Sequence, residues 1–202
     1  GKDARKKNLS IEKIDALLSK PLGLPPTGLY GLIDLIGLDV MYWVGKNLEV
    51  NLPKNDLGRP YVSLPDAELW LYNNGQLGRK SGGGFYRVQK SSNGEKIKEV
   101  YDLDNREWVL SKKESMDSSS FDIMLDDTIE GNYVWNVMGS SLLYAADLVP
   151  EIADDIVNID NAMKWGFAWQ KGPFQIIDAL DPKKVIEKCN RLGIKLPKML
   201  EV

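Results

Sequence analysis

The stretch Gly78-Arg79-Lys80-Ser81-Gly82-Gly83-Gly84 sets two cations among four glycines. A lysine beside backbone N–H groups that no side chain shields is a plausible neighbour for a phosphate or a dinucleotide. The run does not fit the P-loop pattern. It is no dinucleotide fingerprint either, because it leads into a predicted strand instead of opening a helix after one. Two readings follow, a glycine-rich turn that delivers the chain into the next element and an anion contact made by Lys80. Trp165, Phe167 and Trp169 pose a similar choice after a predicted helix end, between core packing and an apolar wall for a ligand. Asp34 and Asp178 lie inside apolar sequence near predicted helix starts. Buried carboxylates need partners, so capping or hydrogen bonding is favoured over acid/base catalysis. The Asp154-Asp155 pair reads as a solvated helix face rather than a metal site.

Composition narrows the chemistry further. The 202 residues contain no histidine, which removes the Ser-His-Asp triad, Cys-His pairs, histidine-ligated metals and a histidine general base. Cys189 is the sole cysteine, so an internal disulfide or a thiolate zinc site is excluded. A net charge of -3 without a basic, aromatic-interleaved stripe argues against nucleic-acid binding. The basic run Lys2, Arg5, Lys6 and Lys7 reads as a solvated edge. No uncharged apolar run is long enough to span a membrane, and the first residues lack a signal-peptide core, so a cytoplasmic protein without membrane contact is expected.

These residues need elements to hold them. Ser10 can cap a helix with Ile11, Ile14, Leu17 and Leu18 on one face and Glu12 in its first turn, ended by Pro21 and Gly23. Leu29, Leu32, Ile33 and Ile36 predict a helix after Gly28, broken at Gly37. Asp39 is placed to cap the next helix, before Pro53. A further helix runs from Pro65 and Asp66 to the Asn73-Asn74-Gly75 stop. FYRVQ, KIKEVYDL and REWVL alternate polar and apolar residues around the turn formers Ser92-Asn93-Gly94 and Asp104-Asn105, which predicts a three-stranded meander. Lys112 to Ser120 reads as a linker. Helical spacing returns after Gly131 as far as Pro150 and again over Glu151 to Lys164. The last helix has Asp181 as cap, Pro182 in the first turn, Val185, Ile186, Cys189 and Leu192 as its stripe, and Gly193 as its end.

An echo joins the two halves. GLYGLID at 28–34 returns as GPFQIID at 172–178, with Gly28/Gly172, Ile33/Ile177 and Asp34/Asp178 identical. Ile14-Asp15-Ala16 precedes the first copy much as Ile159-Asp160-Asn161-Ala162 precedes the second. Helix, loop and glycine-led helix recur in order, which predicts an internal duplication. The second copy has an apolar helix ahead of its Ile-Asp helix and the first does not, so the chain is expected to begin inside its first repeat.

The segments GLPPTGLYGLIDLIGLDV, LGRKSGGGFYRV and EIADDIVNIDNAMKWGFAWQKGPFQIID, in this order, resemble the tandem carboxy-terminal domains of the 3-hydroxyacyl-CoA dehydrogenase family over essentially the whole chain. The meander followed by PEIADD and AMKWGFAW is especially similar to the bacterial multifunctional type. The resemblance implies a mainly α, duplicated helical domain of the 6-phosphogluconate dehydrogenase C-terminal-like kind with a small β-meander insert. Its expected boundaries are 1–84, 85–120 and 121–202. The implied parent oxidises the 3-hydroxyl of an acyl-CoA with NAD in fatty-acid β-oxidation. Its helical domains close the acyl-CoA cleft against a Rossmann domain, and an enoyl-CoA hydratase domain is a further candidate within the same polypeptide. The two copies would form an internal pseudo-dimer.

Lys80 matches the family lysine of the GRK run that reaches the dinucleotide. Trp165 matches an aromatic position assigned to the acyl substrate. The Rossmann fingerprint, the catalytic His-Glu pair and the G-F-x-x-N-R segment would lie upstream of Gly1, so the chain alone is expected to hold no catalytic residue and to be inactive. The readings from other classes are a stand-alone helical interaction module and an acyl-CoA-binding protein without catalysis.

Overall fold

The computed structural model describes residues 2–116 and 120–201. Asp117 to Ser119 of the expected linker lie outside the described residues. The chain condenses into two compact units, one of residues 1–16 and 27–115, the other of 17–26 and 116–202. Among the described residues no single helix is long and apolar enough to cross a membrane.

The first unit contains α1 (Lys2–Lys6), most of α2 (Ile11–Leu17), α3 (Gly28–Ile36), α4 (Leu38–Asn51) and α5 (Asp66–Asn73), followed by the strands β1 (Tyr86–Lys90), β2 (Lys96–Asp102) and β3 (Glu107–Leu110). The expected meander forms, antiparallel in the order β1-β2-β3, with Tyr86 opposite Val100 and Val100 opposite Val109. Leu38, Leu71, Phe85, Val100 and Tyr101 are buried. Tyr30 meets Phe85 with ring centroids 4.5 Å apart, which ties α3 to the entrance of the sheet. Arg5 is no solvated edge: it pairs with Glu68 at 3.5 Å and reaches Asp104 at 4.0 Å. α5 buries Glu68, and a buried carboxylate requires a cation, which α1 supplies.

The second unit holds α6 (Ile129–Val134), which passes through one π-type turn at Trp135–Gly139 into α7 (Ser140–Asp147), then α8 (Ile156–Phe167), α9 (Pro173–Leu180) and α10 (Pro182–Leu192). Thr128 caps α6 by accepting the Gly131 N–H at 3.0 Å. Its core is Tyr133, Val134, Trp135, Met138, Leu142, Phe174, Ile176, Leu180, Val185 and Cys189. Lys188 is buried too. Its ammonium donates to the Asp126 carbonyl at 3.1 Å and lies over Trp135, and desolvation lowers its pKa.

Three boundaries differ from expectation. α8 begins after Asp155, whose carboxylate accepts the Asn158 N–H at 2.8 Å, and runs past Lys164, so Trp165 and Phe167 lie in its last turn. Glu151 to Asp154 stay outside it. α4 is entered through Gly37, at φ 107°, and Asp39 sits inside the first turn instead of capping it. Asp34 and Asp178 lie in the last turns of α3 and α9, not at helix starts.

Candidate functional site

The glycine run forms a closed turn at the exit of α5. Gly78 and Gly83 exchange two backbone hydrogen bonds of 3.1 Å. Gly78, at φ 119°, and Gly82, at φ 86°, adopt backbone angles that side-chain-bearing residues avoid. The Ser81 hydroxyl accepts the Leu77 N–H at 2.8 Å and lies 3.0 Å from the carbonyls of both Gly78 and Gly83. Arg79–Ser81 make one 3₁₀ turn at the tip, which presents Lys80 outward.

Lys80 meets Asp39 of α4, ammonium to carboxylate, at 2.5 Å. The Leu38 N–H donates to Leu77 O at 2.9 Å and fastens the start of α4 to the same turn. Lys80 holds the Asp39 carboxyl below the usual aspartate range, chiefly through the hydrogen bond that its ammonium donates to that carboxylate. A cation and an acceptor therefore stand side by side at a helix N-terminus, a set that suits a ligand bearing both phosphate and hydroxyl groups. Beside them a shallow groove of about 440 Å³ runs along α4, lined by Asp39, Val40, Trp43, Val44, Asn47 and Leu48.

Beneath the turn lies Asp34. Its two carboxylate oxygens accept the N–H groups of Phe85 at 2.8 Å and Tyr86 at 2.7 Å. Burial pushes its pKa up to about 6, against the opposing effect of those two hydrogen bonds, and nearby Asp15 adds to the rise. Asp15 on α2 accepts the N–H groups of Tyr30 at 2.6 Å and Gly31 at 3.1 Å, and also the Tyr86 hydroxyl. Its pKa is raised as well, by desolvation first. Tyr86 is thus gripped at both ends, main chain by Asp34 and side chain by Asp15. The hydrogen-bonding role expected of Asp34 is what the structure shows. Asp178 differs: it is exposed, and its main-chain carbonyl accepts the Asp181 N–H at 3.2 Å.

The capping carboxylates are Asp15 and Asp160, which sequence reasoning noted only as flanks of the echo. Asp160 accepts the N–H groups of Phe174 at 2.8 Å and Gln175 at 3.2 Å, at the start of α9. The findable signal was the spacing itself, since Asp15 precedes Gly28 by 13 positions and Asp160 precedes Gly172 by 12. Each glycine leaves room for its aspartate, because a β-carbon on Gly28 or Gly172 would collide with it.

Trp165 lies in the second unit, on α8, with 81 % of its surface exposed, and Phe167 is 64 % exposed. The core-packing reading of these two aromatics is not met. Lys80 and Trp165 belong to different units.

Residues 3–88, from α1 through the glycine turn into β1, match the family model described as 3-hydroxyacyl-CoA dehydrogenase, C-terminal domain. The chain carries that domain. A Rickettsia felis protein named as a fatty acid oxidation complex trifunctional enzyme is 36 % identical over 95 % of this chain and 27 % of its own length. A Bacillus subtilis protein named as a 3-hydroxyacyl-CoA dehydrogenase is 29 % identical over 93 % of this chain and 24 % of its own. The chain thus spans about a quarter of the length of these relatives. A solved structure of 3-hydroxybutyryl-CoA dehydrogenase from Escherichia coli shares its fold with a TM-score of 0.59, at 18 % identity, covering 98 % of this chain and 55 % of the other.

Proposed function

We propose that this chain is the substrate-binding and assembly portion of an NAD-dependent 3-hydroxyacyl-CoA dehydrogenase of the cytoplasm, acting in fatty-acid β-oxidation. The observation that carries the reading is the closed glycine turn holding Lys80 against the first turn of α4, inside the region that matches the dehydrogenase domain. Lys80 would contact a phosphate or hydroxyl of NAD, whose role when bound is to accept hydride from the substrate carbon. The residues present supply one edge of that contact. A Rossmann domain elsewhere in the polypeptide would supply the rest, together with the general base. Trp165, bare to solvent, offers an apolar surface to an acyl chain. An enoyl-CoA hydratase domain is a further partner to seek in the same polypeptide.

The two halves are proposed to be copies of one helical motif that pair as an internal pseudo-dimer. Four equivalences support the duplication. Ser10 and Asp155 both accept an N–H three residues on, from Lys13 and Asn158. Asp15 and Asp160 each accept two N–H groups of the following helix. Gly28 and Gly172 both sit against those aspartates. Gly37 and Asp181, which join α3 to α4 and α9 to α10, both have positive φ, at 107° and 69°.

The test is to translate the coding sequence upstream of Gly1 in frame and to assay the encoded polypeptide and the 202-residue chain with acetoacetyl-CoA and NADH. The expected outcome is turnover by the longer polypeptide and none by the chain alone. Lys80→Met is expected to raise KM for NADH about tenfold with little change in kcat, the pattern of a lost uniform binding contact, and Trp165→Ala to raise KM for the acyl-CoA. A longer polypeptide without a Rossmann domain, or unchanged KM for NADH in Lys80→Met, would overturn the respective assignments.

A further inference from the structure

Both ends of the turn that carries Lys80 rest on one residue. Gly78 packs on the main chain of Asp34, where a β-carbon would fall 2.5 Å from the Asp34 carbonyl oxygen. Gly84, at the far end, lies so close to the carboxylate that a β-carbon would collide with Oδ1. The next two N–H groups, of Phe85 and Tyr86, then donate to Oδ1 and Oδ2. Asp34 also stands three residues before Gly37, the entry to α4, where Lys80 finds Asp39. One residue is therefore tied through the chain to the start of α4 and through hydrogen bonds to the turn that must reach it.

We propose that Asp34 is the positioning residue of this site, its main chain seating Gly78 and its carboxylate holding the Gly84 end of the 78–84 turn, and so fixing where Lys80 meets Asp39. The echo separates this role from a general demand of the helix. Asp178 occupies the matching place in α9, yet it is exposed and carries no such turn, so the helix itself does not need a buried carboxylate there. The two donors account for the chemistry. Two N–H groups facing one side chain require two acceptors, which a carboxylate has and a carboxamide lacks. In Asp34→Asn the amide NH₂ confronts one of the donors, and the turn must shift to relieve it. The functional meaning of the assignment rests on reading Lys80 as a ligand contact; its geometry does not.

The experiment is carbon-detected NMR of the Asp39 carboxyl in the 202-residue chain at pH 8, where Asp34 is ionised. Lys80→Met calibrates how far the Asp39 carboxyl shift moves when its ammonium partner is lost. Asp34→Asn is expected to move the shift toward the Lys80→Met value, with Asp178→Asn leaving it unchanged. A folded Asp34→Asn chain with a wild-type Asp39 shift overturns the proposal. Should Asp34→Asn not fold, Asp34→Glu decides: it keeps both acceptors but sets them one methylene further out, and it is expected to move the shift part-way, whereas no change overturns the proposal. NADH binding to the Lys80→Met polypeptide is measured in parallel. If that binding is unaffected, the ligand reading of Lys80 falls while the Asp39 shifts still decide the role of Asp34.

Discussion

Asp15 and Asp160 do the same work in two units, whereas Asp34 and Asp178, equally matched in sequence, do not. The first pair each take two N–H groups at the start of the following helix and each lean on a glycine. In the second pair, one carboxylate is buried and takes two N–H groups from the entrance of a sheet, while the other faces water. An aspartate that serves a neighbouring helix keeps its role wherever the helix pair recurs. One that serves an inserted turn has a role only where the turn exists.

The comparison can be broken at several levels. The largest effect is expected from Gly28→Ala and Gly172→Ala, since each β-carbon would strike an aspartate, and Gly28 also has φ 71°. Each should destabilise its own unit by about 3 kcal/mol or more in chemical denaturation; tolerance at one site alone would end the equivalence. Next, Asp15→Ala and Asp160→Ala should each remove about 2 kcal/mol, because each strands two helix-start N–H groups. Unequal losses would show that the shared geometry hides unequal burial.

The pH dependence sharpens the second pair. Asp34 has a folded pKa of about 6 against an ordinary value of 3.8, so between these values the folded state binds more protons than the unfolded one. The stability of the first unit should therefore fall as pH rises from about 4 to 6, by up to about 3 kcal/mol for a shift of this size. Asp15, raised in the same direction, adds to the slope. Asp34→Asn should flatten the profile, and a profile that keeps its full slope would assign the titration to Asp15. The smallest effect is expected from Asp178→Asn, an exposed change worth less than about 0.5 kcal/mol at any pH.

Much of this was legible from residue order. The helix stripes, the breaks at Gly37 and Gly193 and the three strands all follow from short-range spacing, and each formed where expected. The errors came at ends. Asp39 reads as a cap because an acidic residue near a helix start is favourable either as cap or in the first turn. Gly37, with φ 107°, took the capping position and moved Asp39 inward to where Lys80 reaches it. Arg5 looked like a solvated edge because its partner Glu68 lies 63 positions away.

By itself, the order of residues determined a mainly helical chain with a meander, an echoed Asp-to-glycine spacing, a glycine turn carrying Lys80 and the absence of imidazole chemistry. These depend on local periodicity, backbone freedom and composition. Only the tertiary structure decided that Asp34 is buried and Asp178 is not, that Tyr86 is held by two carboxylates, that Lys80 pairs with Asp39, and that Trp165 stands in solvent. Burial and long-range hydrogen bonding belong to whatever the fold brings alongside a residue, and two matched seven-residue fragments, each followed by a helix, acquire different neighbours when a glycine turn and a sheet fold back against only one of them.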